Sequence, residues 1–461
     1  MRKIILIITL AFILSGCSNN VSDNPKEDPA TEKEMEVLKT TEEIRDELHD
    51  IALPYMADGE YGLMNINGEK IFSTEESYIR PTFDDQYYIV GSEVKTIEGS
   101  AVKNPGISGS DNMIFYLGEG YFVEAVREKS LFDNERYSIY IFDVDKKGFD
   151  KLPLRDVNHV GTFQNSVAMI TGINENGEDY RTVYVGNNGK LIKSDVFRDG
   201  SAFNSNGEAL VLTEDNKYIY INNKGKKVRD TEYTGADFSI MFSCPDTDYI
   251  AISRWPGQII NNGKEETQDE GKCAYFNTVT EERTDLYDSL GGLDAKAGTS
   301  LVNVYRDNYG WGYLDISSNE EIIDCQYQSA GIFNEGLACV ESDNMVGCIT
   351  EENKTVVPFE YYGNIYFNNR GMWAVAAKIL PIDVVLDWKY VFLQIDDKGN
   401  CVESEIPGVS EEDEIKDNIF NDKSKNCILE VQYDSDSDHE IDTNRYINPW
   451  NGETVVELKD K

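Results

Sequence analysis

Short alternating runs of apolar and polar residues, broken by Asn, Asp and Gly, dominate the chain from Tyr61 onward. The segments KYIYINNKGKKV (217–228), YSIYIFDVDKKGFDKL (137–152) and YVFLQIDDKGNCV (390–402) each place a strand-like run on both sides of an Asx-Gly turn. Asn, Asp and Gly adopt the positive φ of such turns at little cost. The pattern therefore predicts β-hairpins over most of the chain.

The first 60 residues have a different pattern. Arg2 and Lys3 precede an apolar run from Ile4 to Leu14, which at about eleven residues is too short to span a bilayer as a helix. This is the layout of a secretory signal peptide. Residues 18–30 are polar and contain two prolines, which predicts a flexible tether. The apolar spacing within Thr31–Leu53 then predicts a short helix.

The segment Leu14-Ser15-Gly16-Cys17 resembles the lipobox of bacterial lipoproteins. In that family the residues before the cysteine are removed, and the cysteine is diacylated. The resemblance implies a signal peptide at residues 1–16, lipidation (palmitate-type chains) of Cys17, and a protein anchored on the outer side of the cell membrane. Two acyl chains anchor a protein firmly in the membrane, because each buried methylene contributes about 0.8 kcal/mol. Residues 17–60 are then tether and helix, and residues 61–461 form the folded domain.

The hairpins recur at a regular interval. Trp311-Gly312 is followed after 35 residues by Val346-Gly347, and Tyr327 after 34 residues by Tyr361. Weaker copies extend the series to seven or eight units, drawn at about 113–154, 160–194, 200–230, 238–286, 298–324, 330–358, 363–404 and 418–458. The chain is therefore a repeat protein.

The segment GWGYLDISSNEEIIDCQYQSAGIFNEGLACV (310–340) resembles the WG repeat. The match is good over Tyr309–Val375. It departs from the family pattern at Val346, where Trp is expected, and at Asp324, where Pro is common. The resemblance implies β-rich repeats of bacterial, often secreted proteins, with no general catalytic residues.

One unit of three or four strands cannot bury two faces alone, so the units must stack radially or linearly. Runs such as YIYI (218–221) are apolar on both faces, as expected for a sheet between two neighbours. The early strands YGLMNINGEKIF (61–72) are able to complete the last sheet and close a ring. We predict an all-β fold, a seven- or eight-bladed β-propeller, with a β-solenoid as the alternative.

Charge and composition exclude several functions. The net charge of -41 repels phosphate backbones, so we expect no nucleic-acid partner. The three histidines form no HExxH pattern, and phosphate-cradling, dinucleotide and GxSxG motifs are absent from the sequence. We therefore expect no cofactor and no enzyme activity. With 84 Asp and Glu residues, a carboxylate pair for glycan hydrolysis remains an alternative.

Two kinds of candidate site stand out. Asp434, Asp436 and Asp438 alternate as calcium ligands do at the start of an EF-hand loop, but His439 and Arg445 occupy the positions of the required Gly and Glu. This is a weak metal candidate, and a solvated turn is the preferred interpretation. Trp255 and Trp388 lie in insertions relative to the compact repeat, where binding residues concentrate.

The seven cysteines after Cys17 form no CxxC pattern, so we expect small core residues. Cys339 and Cys348 alone are placed to face each other across one hairpin.

The leading hypothesis is a lipid-anchored, surface-exposed repeat protein that binds an envelope protein, a peptide or a glycan without catalysis. A glycan-active enzyme on the same scaffold and a purely structural envelope protein are the alternatives.

Overall fold

A computed structural model describes residues 40–57, 59–102, 113–128, 136–145, 149–193, 196–244, 246–253, 258–261, 264–267, 272–293, 299–334, 336–363, 365, 367, 373–380, 387–396, 399–409, 414–420, 427–433, 443–456 and 458. These residues form one short α-helix and 38 β-strands. Among them, no helix is both long and apolar enough to cross a membrane.

The elements of the first half are α1 (Thr41–Glu47), β1 (Leu53–Ala57), β2 (Glu60–Met64), β3 (Lys70–Thr74), β4 (Ile79–Pro81), β5 (Tyr87–Val90), β6 (Glu93–Thr96), β7 (Ala101–Val102), β8 (Met113–Gly118), β9 (Tyr121–Arg127), β10 (Tyr137–Asp143), β11 (Phe149–Lys151), β12 (Leu154–Val160), β13 (Val167–Asn174), β14 (Tyr180–Gly186), β15 (Asp199–Gly200), β16 (Glu208–Leu212), β17 (Lys217–Asn222) and β18 (Lys227–Thr234).

The strands of the second half are β19 (Ser239–Ser243), β20 (Tyr249–Ser253), β21 (Gln258–Asn261), β22 (Lys264–Thr267), β23 (Cys273–Asn277), β24 (Ser289–Leu290), β25 (Leu301–Arg306), β26 (Gly310–Asp315), β27 (Glu320–Tyr327), β28 (Ser329–Ala330), β29 (Leu337–Ser342), β30 (Met345–Thr350), β31 (Thr355–Tyr362), β32 (Trp373–Leu380), β33 (Asp387–Ile395), β34 (Cys401–Glu405), β35 (Glu414–Phe420), β36 (Cys427–Tyr433), β37 (Thr443–Ile447) and β38 (Thr454–Val456).

Consecutive strands pair into antiparallel sheets that follow the order of the chain. Four-stranded sheets contain β4–β7, β8–β11, β15–β18 and β24–β27, and three-stranded sheets contain β12–β14 and β19, β20 and β23. A separate hairpin, β21–β22, lies between β20 and β23 in the chain, and two seven-stranded sheets contain β28–β34 and β1–β3 with β35–β38. Eight of the sheets built from described residues have three or more strands. The sheet β28–β34 spans two of the predicted units, 330–358 and 363–404, and the sheet β4–β7 lies outside the predicted series.

The turns between the hairpin strands have a common construction. In the turn after β17, the side-chain oxygen of Asn222 accepts hydrogen bonds from the backbone N–H groups of Lys224 and Lys226. Gly225 in the same turn has a φ of +71°. Asn65 and Asn204 make equivalent bonds in their own turns. The predicted Asx-Gly turns are therefore present, because the side chain of the Asx residue satisfies the backbone where the ladder ends.

The glycine of the WG motif is required at its position for a steric reason. A Cβ on Gly312 would lie 2.5 Å from the carbonyl oxygen of Ile323 in the neighbouring strand, and one on Gly347 would lie 2.7 Å from that of Val357. Both glycines face register shifts in the ladder to the fourth strand. Gly62 meets the oxygen of Phe72 in the same way, so the N-terminal strands are built like the later units.

Each central strand contributes to two hydrophobic cores. In β17, Tyr218 and Tyr220 belong to the core shared with β19, β20 and β23. Ile221 belongs to the core shared with β13 and β14, and Ile219 packs against that core. Alternate side chains point to opposite faces of a strand, so the sheet is buried between its two neighbours, as the apolar YIYI run predicts.

Tyrosines on third strands connect neighbouring sheets. The hydroxyls of Tyr184, Tyr275 and Tyr313 donate to the carbonyl oxygens of Ser201, Gly291 and Gly331 in the following sheet, at 2.7, 2.7 and 2.8 Å. Each acceptor directly follows a two-residue first strand, β15, β24 or β28. The Tyr218 hydroxyl lies 3.3 Å from the carbonyl oxygen of Phe238, and it donates its one proton to the nearer Asp199 at 3.0 Å. We call these four residues the latch tyrosines.

The two ends of the chain meet, which distinguishes a closed propeller from an open solenoid. β1 pairs with β37 through Ala57 and Thr443, and Tyr55 packs with Tyr446 in one core. The predicted closure by the N-terminal strands is therefore confirmed, and the fold is an all-β propeller. A closed ring leaves no outer sheet face uncovered.

Helix α1 is part of this closure. It is shorter than the predicted Thr31–Leu53 segment at its C-terminal end, and it begins with a capping box of Thr40 and Glu43. Ile44 and Leu48 are fully buried in the closing core. The packed part of the chain therefore begins well before residue 61, where the sequence places the domain boundary, because the apolar face of α1 covers the last sheet.

Antiparallel order gives every sheet two ends. We call the end where second strands turn into third strands the cleft end, and the end where third strands turn into fourth strands the helix end. Short links between sheets, such as the single residue between β27 and β28, keep the cleft ends on one side of the ring. Helix α1 lies at the helix end, because Thr41 donates to Glu453 at 2.7 Å and Arg45 donates to the carbonyl of Val455 at 2.6 Å.

Candidate functional site

Most of the sequence-predicted site residues lie outside the described part of the chain. These are Cys17, Trp255, Asp434, Asp436 and Asp438. Trp388 is the second residue of β33, opposite Ile379 in the ladder, and only this backbone position is described. Their roles remain predictions. Within the described residues, no group of three or more His, Cys, Asp or Glu side chains is arranged to hold a metal ion.

A cleft of about 1020 Å³ lies where three consecutive sheets meet. It is lined by the first strands of these sheets, β12, β15 and β19, and by turns at the cleft end. The lining segments are residues 158–159, 178–182, 198–200, 235 and 238–243, together with Met169, Thr171, Leu212, Glu214 and Asn216. Its size is that of a ligand pocket rather than a packing defect.

Asp199 joins two of these sheets beneath the cleft. Its carboxylate accepts hydrogen bonds from the backbone N–H of Gly200, at 2.8 Å, and from the Tyr218 hydroxyl, at 3.0 Å. The N–H of Ile240, in the next sheet, donates to it at 2.8 Å. Burial nevertheless raises the pKa of Asp199. A carboxylate with three internal donors has a structural role, since few of its lone pairs remain for a ligand.

Arg181 forms the buried wall of the cleft. Its Nη2 lies 3.5 Å from Asp179 and 3.4 Å from Glu214, and its Nη1 donates to the carbonyl of Tyr180 at 2.9 Å. Both carboxylates are largely exposed, so these ion pairs contribute little to stability. They do orient Asp179 and Glu214 toward the guanidinium.

Arg198 differs from Arg181 in its surroundings. It is exposed, and its Nη1 donates to the side-chain oxygen of Asn216 at 3.0 Å. Among the described residues, no carboxylate lies within 4 Å of it. Asn216 has a φ of +63°, which is tolerated by Asn better than by most residues. Arg198 therefore presents unused guanidinium donors to the cleft.

Two large side chains are exposed in the cleft lining. Tyr180 is 59% exposed and Met241 is 49% exposed. Met241 lies at a β-bulge, because the ladder between β19 and β20 shifts register between Ile240 and Phe242. The cleft thus combines an aromatic ring, a flexible apolar side chain, cations and carboxylates, which is a recognition surface for a polar ligand.

Sequence reasoning did not find this site. Arg198 lies in the link before β15, Asp199 is the first residue of β15, and Asn216 lies in the turn between β16 and β17. Their residue types do not distinguish them from the same residues elsewhere in the sequence. The FRDG segment (197–200) lies at the start of a unit. Its residues do not predict that the first strands of three sheets lie close together.

Cys339 and Cys348 form a disulfide. They are directly opposed in the ladder between β29 and β30, which confirms that they face each other across one hairpin. Cys244, Cys273, Cys325 and Cys427 are buried free thiols, as expected for core residues.

Two family models match the chain. The prokaryotic membrane lipoprotein lipid attachment site matches residues 1–18, and the WG containing repeat matches residues 311–345. The chain therefore carries a lipoprotein lipid attachment site, which supports anchoring to a membrane, and a segment similar to the WG containing repeat. No curated protein matches the chain.

Three solved structures resemble this chain in fold. Apo AztD from Citrobacter koseri is 10% identical, with a TM-score of 0.35, and the match covers 66% of this chain and 92% of AztD. BamB from Moraxella catarrhalis is 11% identical, with a TM-score of 0.36, covering 70% and 97%. A eukaryotic initiation factor is 12% identical, with a TM-score of 0.45, covering 87% and 94%.

Proposed function

We propose that this lipoprotein is a non-catalytic binding module of the cell envelope, exposed on the outer side of the membrane, and that the cleft is its ligand site. The observation that carries the proposal is the cleft itself. It is large enough for a ligand, and its wall presents Arg198 and Tyr180 without strong internal partners. A purely structural protein has no need of such an opening.

The end of the ring at which the described chain begins is compatible with access of a ligand to the cleft. The tether leads to Thr40 at the helix end, where α1 contacts the turn between β37 and β38. The cleft opens at the other end of the ring. Helix α1 and the start of the described chain therefore do not cover the cleft.

The carboxylates of the cleft favour binding over glycan hydrolysis. A glycosidase needs one carboxyl as acid and a second, free carboxylate as base or nucleophile. Asp199 accepts three internal hydrogen bonds, and Asp179 and Glu214 are paired with Arg181. Among the acidic residues of the cleft wall, this leaves Glu178 without a described partner, and one carboxylate does not make the pair.

The function is tested with the mature lipoprotein in detergent, immobilised and exposed to peptidoglycan fragments, surface polysaccharides and a random peptide library. Saturable retention of one ligand class without turnover supports a binding module. Shortening of a glycan, lost on Glu178→Gln, would establish the enzyme alternative instead. Membrane fractionation of Cys17→Ser tests the anchor: we expect the variant to leave the membrane fraction, since its lipid is lost.

A further inference from the structure

We propose that the cleft binds a small zwitterion, whose oxyanion is held between Arg181 and Arg198 and whose ammonium group lies beside Tyr180. The inference rests on the proposed function, because it assigns a ligand class to the same cleft. It goes beyond that function by naming the two charged groups that a ligand must carry and the residues that recognise each of them.

Two arginines are neighbours in the wall of the cleft. Thr182 and Phe197 exchange two backbone hydrogen bonds, of 2.8 and 2.9 Å, across an antiparallel bridge. Arg181 and Arg198 occupy the next pair of positions beside this bridge, and both line the cleft. In a regular ladder the side chains of such a pair lie on the same face, with Cβ atoms about 5 Å apart. Two like charges at this spacing repel each other, so an oxyanion between them is attracted by both.

The turn between β16 and β17 orients both guanidinium groups. Arg198 donates through Nη1 to the side-chain oxygen of Asn216 at 3.0 Å, and Nη2 of Arg181 lies 3.4 Å from Glu214. Gly235 leaves room for this arrangement, since a Cβ at that position would lie 2.5 Å from the side-chain oxygen of Asn216. The two cations are therefore positioned before a ligand arrives, which lowers the entropic cost of binding.

Both arginines keep N–H donors that the described chain does not use. Asn216 is the one hydrogen-bond acceptor of Arg198 among the described residues, and it engages a single nitrogen. The Nε atom of Arg181 is buried and has no hydrogen-bond partner in the described part of the chain. Buried donors without an acceptor are rare in folded proteins. A carboxylate or a phosphate supplies such acceptors, and it fits a guanidinium in a bidentate manner.

The residues directly before Arg181 favour a cation. Glu178 is exposed, and the ring of Tyr180 is 59% exposed. An ammonium group is attracted by a carboxylate and by the face of a tyrosine ring. Asp179 and Glu214 also line the cleft, so the carboxylates of the lining outnumber the two arginines. A ligand with only negative charge is therefore repelled, whereas a ligand with both charges matches the two regions.

The spacing of the two regions limits the size of the ligand. Glu178 and Tyr180 lie within three residues of Arg181, which corresponds to about 10 Å or less along an extended chain. Free α-amino acids and the glycerophosphoethanolamine of a lipid headgroup both carry an ammonium group and an oxyanion within this distance. Met241, which is 49% exposed in the cleft, provides an adaptable apolar contact for the rest of the ligand.

The test is titration calorimetry of the mature lipoprotein in detergent with the standard free α-amino acids and with glycerophosphoethanolamine. The best-bound amino acid is compared with its amide, which lacks the carboxylate, and with its N-acetyl derivative, which lacks the ammonium group. Ethanolamine and glycerophosphate are the corresponding compounds for glycerophosphoethanolamine.

The variants separate the two regions of the site. Arg198→Gln and Arg198→Lys alter the oxyanion region, and Glu178→Gln alters the ammonium region. The control is Lys224→Gln. Lys224 is exposed in the turn between β17 and β18, at the helix end of the same sheet, so its substitution makes the same charge change as Arg198→Gln away from the cleft.

We expect Arg198→Gln to weaken binding of the zwitterion about ten- to hundredfold and to abolish the preference over the compound without an oxyanion. The preference over the compound without an ammonium group should remain, and Glu178→Gln should show the converse pattern. Arg198→Lys should restore part of the affinity, because it keeps the charge but not the planar fork. Lys224→Gln should bind as the wild type does. A variant that fails to fold would lose both preferences together, which distinguishes it from the expected pattern.

Equal affinity of Arg198→Gln and wild type, or equal binding of a zwitterion and its singly charged derivatives, would overturn this inference. A preference for amino acids or for glycerophosphoethanolamine would support it and would identify the source of the zwitterion. If no zwitterion binds while a glycan or a long peptide is retained, the inference fails and the binding function stands. Retention of no ligand of any class would refute both proposals.

Discussion

The hydrogen bond from Tyr184 to Ser201 offers a direct test of the latch tyrosines. The Tyr184 hydroxyl lies 2.7 Å from the carbonyl oxygen of Ser201, and both residues are almost completely buried. The substitution Tyr184→Phe removes one oxygen and leaves the ring contacts with Phe197 and Phe203 in place. The change therefore isolates the bond between two neighbouring sheets.

The expected loss in the free energy of unfolding follows from the Ser201 carbonyl oxygen, which keeps no hydrogen-bond donor in the Tyr184→Phe variant. A buried carbonyl that loses its donor costs roughly 1–3 kcal/mol, because water cannot replace the lost bond. Tyr313→Phe removes an equivalent bond, but Gly331 is exposed, so water can solvate its carbonyl. For that variant we expect about 1 kcal/mol or less.

Urea unfolding of the mature lipoprotein, followed by tyrosine fluorescence and circular dichroism, measures both changes. Tyr180→Phe is the matched control, since it alters an exposed tyrosine in the same strand and should change the free energy of unfolding by about 0.5 kcal/mol or less. If Tyr184→Phe unfolds at the same urea concentration as Tyr180→Phe, the bond does not hold the sheets together and the reasoning is refuted.

Four further outcomes are expected from the same unfolding assay. Burial raises the pKa of the latch tyrosines, so above about pH 10 they stay protonated in the folded protein while tyrosines of the unfolded chain ionise. The free energy of unfolding should therefore fall by about 1.4 kcal/mol per pH unit for each of them. A free energy of unfolding that does not change from about pH 9 to 11 would contradict this. Gly312→Ala should destabilise by roughly 1–3 kcal/mol, because its Cβ would lie 2.5 Å from a backbone oxygen, and unchanged unfolding would disprove the steric account. Ile44→Ala should cost about 2–5 kcal/mol, whereas the exposed Glu47→Ala on the same helix should cost little; equal effects would mean that α1 does not close the ring. Reduction of the Cys339–Cys348 bridge should cost about 2–3 kcal/mol, and the doubly Ala-substituted chain should be insensitive to reductant.

The repeat pattern predicted a large part of the fold. Asx-Gly turns and two-sided apolar strands are local features, because each depends on residues within one hairpin. They were sufficient to predict antiparallel units, their stacking and the role of the N-terminal strands in closure. The unit β4–β7 (79–102) was missed, since its strands are short and it lacks the aromatic-Gly phrase of the later repeats.

The candidate site could not be predicted in the same way. Tyr180, Arg198 and Met241 are separated by many residues, and they become neighbours only because three sheets stack in the ring. The tryptophans were selected from the sequence because of their residue type. The residues of the cleft are of common types, and only their positions in the fold distinguish them. A single sequence does not predict that residues of three different sheets line one cleft.

By itself, the sequence determined that this chain has a lipoprotein lipid attachment site, repeated β-hairpins and a net charge of -41. Those properties follow from local patterns: an apolar run ending in Cys17, turn residues at fixed intervals, and a count of charges. Only the tertiary structure decided that the ring closes through α1 and β37, that tyrosine hydroxyls connect the sheets, and that Arg198 faces an open cleft. These three features depend on contacts between residues that are distant in the chain. The free energy of each contact is set by the burial of the residues and by whether their polar groups find hydrogen-bond partners.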